Sequence, residues 1–478
     1  MNNINIVIFI SLYSLYNFIN KKILFIFEHS RHGIKTPSYL DGSSNLKDIF
    51  GQEWIGIKEL TREGNKMEYL LGVYLKNFYN NFFSEKYNPD EIYIMSSDSN
   101  RTVESALAQI QGIYQNNISD IELTKYQENR SIPYFFENNT GEFVDILDII
   151  GNYSLPYNIQ IPPIHSIDDR YHIYRISENE NCEPYNYIKE DNLKKTVVKN
   201  FINNFNYTFG EFLLDKLKIN DENYFTNINN IDVICDNFLS NYEIGNKLDG
   251  IFDEEKYIEF YDECIEYFTL KYKEIHIQGI KKNNIVGLIS QSQMMRIILN
   301  YMKKRFDLSI KGKEYEDLII NGSPKYVMLK GHDFTISTME DLLKIIFETE
   351  ISFPSIGSSQ FFILNKITSS LGTKYIVEII FNDKIKLEID FNTFEKKIKK
   401  KIWSSKKVAD YCGWDEYAKE VSINTKEIVL ILIIILLCIA NLGIIIFICY
   451  VNHRKQKNKS AIINYEDEIN EINNQSDK

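Results

Sequence analysis

The residues with the clearest capacity for chemistry fall in three short stretches: Arg31-His32-Gly33-Ile34-Lys35-Thr36-Pro37, Ser96-Ser97-Asp98-Ser99-Asn100-Arg101-Thr102 and Gly331-His332-Asp333. An imidazole flanked by cations suits a nucleophile that must attack an anion, because the neutral ring offers a lone pair without a repelling charge. Arg101 adds a further fixed cation, and an imidazole–carboxylate couple can hold an oxygen and move a proton. Taken singly, each stretch has a bland reading: a basic turn, a polar helix start, a structural histidine. Their joint occurrence, each directly after an apolar strand-like run, is what carries the argument. His29 lies within the first run and lacks a flanking arginine, so it reads as a structural residue beneath the loop.

The elements that must present these groups are legible from periodicity. Ile23 to Phe27 has strand length and composition, and a strand ending at Arg31 delivers its groups to the C-terminal edge of a sheet, where open α/β proteins bind ligands. Gly33 is expected to let the backbone approach a ligand closely, and Pro37 to stiffen the loop exit. Thr61 reads as the N-cap of a helix with Met67, Leu70, Leu71, Tyr74, Leu75 and Phe78 at helical spacing. Ile92 to Met95 reads as the strand before Ser96, and a helix carries Val103, Ala106, Leu107, Ile110 and Tyr114. Alternation is then lost from 131 to 278, an Asn-, acid- and aromatic-rich segment expected to be a mainly helical cap. Ile285 to Ile289 reads as a strand, followed by a helix from about Gln293 to Lys304. Tyr326 to Leu329 is another strand, and Ile336, Met339, Leu342, Leu343 and Ile346 mark the helix after Asp333. Phe361 to Leu364 and Tyr375 to Ile380 read as a hairpin around Leu371-Gly372, with a third run at Ile385 to Ile389. The expected fold is α/β: a doubly wound mixed sheet flanked by helices, with an inserted helical cap.

Charge and chain ends bound the setting. With 54 basic against 66 acidic residues the 478-residue chain carries a formal charge of −12, which argues against a nucleic-acid partner. Residues 1–20 have signal-peptide length and apolarity. Ile428 to Val451 is long enough to cross about 30 Å of hydrocarbon at about 1.5 Å per residue, and His453, Arg454, Lys455, Lys457 and Lys459 follow. Positive charge there puts the tail, 452–478, in the cytoplasm, giving a single-pass type I protein with an additional C-terminal transmembrane helix. Its folded part is expected as 21–130, the cap at 131–278, and 279–420. Cys182, Cys235, Cys264 and Cys412 would then face an oxidising compartment and suit two disulfides. Sequons at Asn117, Asn129, Asn138, Asn152, Asn206 and Asn321 fit a secreted surface, whereas Asn100 lies too close to the Arg101 turn.

The first stretch resembles the Arg-His-Gly-x-Arg-x-Pro signature of the histidine acid phosphatases, lysosomal and prostatic in type. Glu59-Leu60-Thr61-Arg62-Glu63-Gly64 is similar to that family's Leu-Thr-x-x-Gly helix start, and Ser96 to Ala106 to its Ser-Ser-x-x-x-Arg-Thr-x-x-Ser-Ala turn. Ile161 to Ser166, with Asp168 and Asp169, is similar to its proline-containing passage into the cap. The resemblance implies attack by His32 on phosphorus, a phosphohistidine intermediate, and Asp333 as proton donor and later activator of water. Arg31, Lys35, Arg101 and His332 would hold the phosphoryl oxygens, with no metal or other cofactor. It also implies Cys182–Cys412 and Cys235–Cys264 pairing, and a lysosome-like, secretory or cell-surface site, with homodimerisation left open. Two departures stand out: Lys35 where the family has a second arginine, and Ile363 where it has glutamate. A lysine lacks the planar fork, a loss of about 1–3 kcal/mol, so Lys35→Arg is expected to keep or raise kcat/KM. The alternatives are a weakly active or inactive lumenal receptor on this fold, and a phytase-like activity, which the acidic cap disfavours.

Overall fold

The computed structural model describes residues 20–40, 46–114, 122–133, 150–155, 161–167, 182–277, 285–306, 322–414, 433–434, 437, 441–444 and 446–455. The chain divides into two compact units, Met1–Val408 and Ala409–Lys478. The first is built on a seven-stranded sheet: β1 (Asn20–Arg31), β2 (Ile92–Ser96), β3 (His165–Ser166), β4 (Tyr326–Gly331), β5 (Ser359–Ser369), β6 (Gly372–Phe381) and β7 (Lys384–Asp390). Their order is β3-β2-β4-β1-β5-β6-β7. The first four are mutually parallel and the last three form an antiparallel meander, so the sheet is mixed, as expected.

The apolar run in β1 is continuous because both faces are covered. Phe25 and Phe27 point into one core with Val327, Leu329, Met339 and Phe362; Ile26 points into the other with Ile92, Ile94, Met328 and Ile110. Beneath Ile26 lie helices α1 (Arg62–Phe78) and α2 (Asn100–Ile113). Helix α3 (Lys125–Ser131) and the helical segment α4 (Glu183–Leu193), α5 (Thr196–Phe205), α6 (Glu211–Leu217), α7 (Ile228–Glu243) and α8 (Glu254–Leu270) follow. The opposite face is covered by α9 (Val286–Phe306), α10 (Asp333–Phe347) and α11 (Phe391–Lys401).

Register fixes what matters for a site. Arg31 pairs with Gly331, Ser30 with Lys330, and Ser96 with Lys330. Three neighbouring strands therefore end within one residue of each other. Each is followed by one of the polar stretches singled out above, and the starts of α2 and α10 bring partial positive charge to the same edge.

Three expectations are corrected. Ile285 to Ile289 is no strand: α9 already begins at Val286, and its first two turns are buried on every side, so no polar face reveals the period. A Cβ on Gly287 would meet the Leu342 amide nitrogen at 2.5 Å, so α9 approaches α10 too closely for any other residue. On α1 the inward positions are Gly64, Glu68, Gly72 and Leu75, while Leu70, Tyr74 and Phe78 are exposed. The helix is turned by close backbone contact: Cβ atoms on Gly72 and Gly112 would lie 2.0 Å from the carbonyl oxygens of Gln109 and Tyr69. Third, the backbone that Gly33 lets in belongs to α1. Its Cβ would meet the Gly64 oxygen at 2.8 Å, and one on Gly64 would meet the Ile34 oxygen at 2.3 Å.

Cys235 and Cys264 are joined, fastening α7 to α8. Cys182 and Cys412 are each disulfide-bonded as well. Asn129 is exposed, Asn152 and Asn206 are partly exposed, and Asn117, Asn138 and Asn321 lie outside the described residues, as do residues 1–19. Among the described residues no helix is long and apolar enough to cross a membrane. Much of 428–451 lies outside them. The described parts of it are helical with Ile433, Leu437, Leu442 and Phe447 exposed.

Candidate active site

Thr61 caps α1 by accepting from the Gly64 amide at 3.0 Å, and its own amide donates to the Ile34 carbonyl at 2.9 Å. Thr36 and Glu59 exchange a further pair, the Thr36 amide to the Glu59 carbonyl at 2.8 Å and the Glu59 amide to Thr36 Oγ1 at 2.9 Å. The Arg31–Pro37 loop is thus sewn to the start of a helix. Gly33 donates to Ser105 Oγ on α2 at 3.1 Å, which ties it to the second polar stretch too. Directly below, Lys330 and Glu68 form a fully buried ion pair at 2.7 Å.

His32 is 2 % exposed. Its Nδ1 lies 2.7 Å from the Gly33 carbonyl, which can only accept, so Nδ1 carries the hydrogen and Nε2 the lone pair. Burial, then Arg101, Arg31 and His332, hold its pKa well below the usual imidazole value, which favours the neutral ring. His332 sits 5.6 Å away, ring centre to ring centre. Arg101 Nη2 donates to His332 Nδ1 at 3.1 Å, which places the single ring hydrogen on Nε2, aimed at Ser97 Oγ at 2.9 Å. The Ser-Ser turn and Arg101 therefore meet the His-Asp stretch through the ring itself.

Arg31 spans two partners, Asp333 Oδ2 at 2.7 Å and the Pro354 carbonyl at 2.8 Å. Burial would raise the Asp333 carboxyl, but Arg31, the Tyr272 hydroxyl, His32 and Lys271 outweigh it and hold the group well below the carboxylate range. His29 is as expected a buried residue of β1, with its pKa lowered to about 3 by burial.

All six predicted residues, Arg31, His32, Lys35, Arg101, His332 and Asp333, line one cavity of about 590 Å³. Sequence reasoning missed the far wall. It comprises Asp232, Asp236 and Glu243 on α7, Tyr261 and Phe268 on α8, and Lys271 and Tyr272 on the π-helical turn that extends α8. The spacing of 232, 236, 239, 240 and 243 was a readable helical face, but nothing in the sequence aims it at His32 some 200 positions earlier. Lys58, another lining residue, is held at φ 60° and its carbonyl accepts from Arg101 Nη1 at 3.5 Å. Lys271 pairs with Asp232 at 2.6 Å. Lys35, expected on a phosphoryl oxygen, is paired with Asp236 at 2.8 Å. Among the described residues no group of three or more His, Cys, Asp or Glu side chains could hold a metal ion.

Residues 14–388 match the family model for the histidine phosphatase superfamily, branch 2. The chain belongs to that superfamily. Within it, the aligned curated relatives include the testicular acid phosphatase of Mus musculus, 34% identical over 93 residues, 19% of this chain and 22% of that protein. The lysosomal acid phosphatase of Xenopus laevis is 33% identical over 95 residues, 20% of this chain and 22% of that one. This histidine phosphatase superfamily member thus aligns with only about a fifth of the length of these relatives. Among solved structures, phytases from Citrobacter braakii and, with tartrate, from Hafnia alvei each superpose with a TM-score of 0.50 at 12% identity, covering 80% of this chain and 98% of theirs. At that identity the likeness is one of fold.

Proposed function

We propose that the chain is an acid phosphatase that hydrolyses phosphate monoesters through a phosphohistidine. The observation that carries this is the convergence of His32, Arg31, Arg101, His332 and Asp333 on one cavity from three adjacent strand ends. His32 Nε2 attacks phosphorus while the ester oxygen leaves; the phosphorus–nitrogen bond is then cleaved by water. Arg31 and Arg101 stabilise the charge spread over the equatorial oxygens. The lone pair is available on a neutral ring because the Gly33 carbonyl fixes the tautomer.

Asp333 starts ionised, since Arg31 holds it so. A bound phosphoryl dianion shares Arg31 and sets a second negative charge beside the carboxyl, which favours its protonation. The proton then goes to the leaving oxygen, and the regenerated carboxylate takes one from the attacking water. His332, engaged by Arg101 and Ser97, serves first to orient Arg101; once Arg101 turns to the anion, the ring can take up a proton on Nδ1 and donate it to a phosphoryl oxygen.

The charged residues lining the cavity are five basic (Arg31, Lys35, Lys58, Arg101, Lys271) against four acidic (Asp232, Asp236, Glu243, Asp333), an excess of one. That suits one phosphoryl group rather than an inositol polyphosphate. The exposed apolar residues Leu442, Ile444, Ile446 and Phe447, with His453, Arg454 and Lys455 after them, support a membrane anchor. With lysosomal relatives, they also support a secretory or lysosome-like location. The decisive experiment is turnover of p-nitrophenyl phosphate at about pH 5 by wild type and His32→Ala. A loss of at least about a thousandfold, with phosphate trapped on His32 in rapid-quench samples of wild type, is expected. Equal turnover by the two proteins would refute the reading.

A further inference from the structure

Lys35 occupies the position from which a second family arginine would reach the phosphoryl group, yet its hydrogens are committed. An ammonium has three donors. Here Asp236 Oδ1 takes one at 2.8 Å, Ser38 Oγ another at 3.0 Å, and the Thr36 carbonyl the third at 3.3 Å. Asp236 is held in turn by the loop: the Ser38 amide donates to Oδ2 at 2.5 Å and the Ser38 hydroxyl to Oδ1 at 3.3 Å.

The helix bearing Asp236 cannot follow the lysine. Asn237 Nδ2 donates to the Tyr39 carbonyl at 3.2 Å, and Asn237 Oδ1 accepts from the Ile49 amide at 3.3 Å. Asn241 Nδ2 donates to Asp48 Oδ2 at 2.6 Å, and the Cys235–Cys264 bond fastens the same helix to α8. For Lys35 to reach a phosphoryl oxygen it must leave Asp236 behind. That would strand a buried carboxylate beside a bound anion, an arrangement that costs more than a new hydrogen bond returns.

We infer that Asp236 is a positioning residue that keeps the Lys35 ammonium off the phosphoryl group, so that the site holds its phosphate product loosely. The identity of that anion rests on the phosphatase reading above. Burial, with Arg101 and Arg31, lowers the Lys35 pKa although Asp236 raises it, so the ammonium depends on its own counter-ion. The phosphate is then left to Arg31 and Arg101. It also follows that Lys35 is no weakened copy of an arginine but half of a tie between the loop and α7.

The test is calorimetric titration of inorganic phosphate into full-length wild type, Asp236→Asn and the double variant Lys35→Met/Asp236→Asn, with p-nitrophenyl phosphate turnover followed in parallel. Asp236→Asn frees one charge-assisted donor and is expected to bind phosphate about tenfold more tightly. The double variant removes a neutral pair and should bind within about threefold of wild type, so that the gain depends on Lys35. A merely structural Asp236 would give no gain in affinity. Unchanged or weaker binding by folded Asp236→Asn overturns the inference. So does a tenfold loss in the double variant, which also decides the matter if Asp236→Asn does not fold. Absence of turnover throughout defeats the phosphatase reading while the titrations still decide this one; normal turnover without the gain defeats this one alone.

Discussion

The two sides of the cavity are made by opposite means. The sheet side, Arg31, His32, Arg101, His332 and Asp333, comes from three strand ends in fixed register and is dominated by cations. The helical side comes from one face of α7 with the turn after α8 and is dominated by carboxylates, of which Asp232 and Asp236 are already engaged by lysines. On the sheet side backbone geometry places the groups, so each is fixed to within a residue. On the helical side side-chain pairs and a disulfide do so, and these are changed without disturbing the sheet. The difference teaches where chemistry and where selection should reside: reaction on one wall, choice of substrate on the other.

The largest effect expected of that division is at Asp333. Its replacement by Asn keeps shape and removes the proton donor, so kcat/KM on glycerol 2-phosphate, which reports only steps up to departure of the alcohol, should fall about 10²–10³-fold. The loss on p-nitrophenyl phosphate should be at least about tenfold smaller, because nitrophenolate leaves without a proton. Equal losses on the two esters would mean that Asp333 mainly holds Arg31, to which it is paired at 2.7 Å.

The same division explains what could be read from the sequence. The sheet side was legible because its signals are local: an apolar run, then chemistry within seven positions, three times over. The meander from Ser359 to Asp390 was legible too, through its turn at Leu371-Gly372. The start of α9 was not, since a helix buried all round carries no periodic signature and its apolar run passes for a strand. The inward face of α1 was misjudged because glycines, invisible to a hydrophobic pattern, set the packing. The Lys35–Asp236 tie joins residues 201 positions apart, and no local rule reports such a pair. Lys35 could therefore be recognised as a departure but not as half of a device, and the expectation that Lys35→Arg keeps or raises kcat/KM assumed a free side chain.

Two histidines of one strand and its loop give a comparison of intermediate size. His32 faces the cavity, whereas His29 is sealed in the sheet, with no hydrogen-bond partner for either ring nitrogen among the described residues. In the unfolded chain His29 takes up a proton below about pH 6.5; in the fold burial defers this to about 3. Between those values the unfolded state binds more protons, so wild-type stability falls as the solution is acidified. His29→Leu removes that penalty. It should stabilise the protein by about 2–3 kcal/mol more at pH 4.5 than at pH 7.5 in chemical denaturation. A pH-independent difference would show that His29 does not stay neutral in the fold.

The smallest effect sharpens the comparison most. Glu243 lines the cavity from the last turn of α7, and burial raises its pKa although Arg31 pulls it down. It is partly exposed, so its field is screened, and a charge at about 7 Å in a medium of effective dielectric near 40 contributes only about 1 kcal/mol. Glu243→Gln should therefore leave kcat/KM for p-nitrophenyl phosphate within about twofold of wild type. For a bisphosphate, whose second group must face α7, kcat/KM should rise about fivefold. Because Glu243 takes up a proton at a higher pH than an exposed glutamate, the gain should be larger at pH 7 than at pH 4.5, where wild type is itself partly neutral. An equal rise on both substrates would mean that Glu243 acts on the reacting phosphoryl group through Arg31, and that the helical wall shares in the chemistry after all.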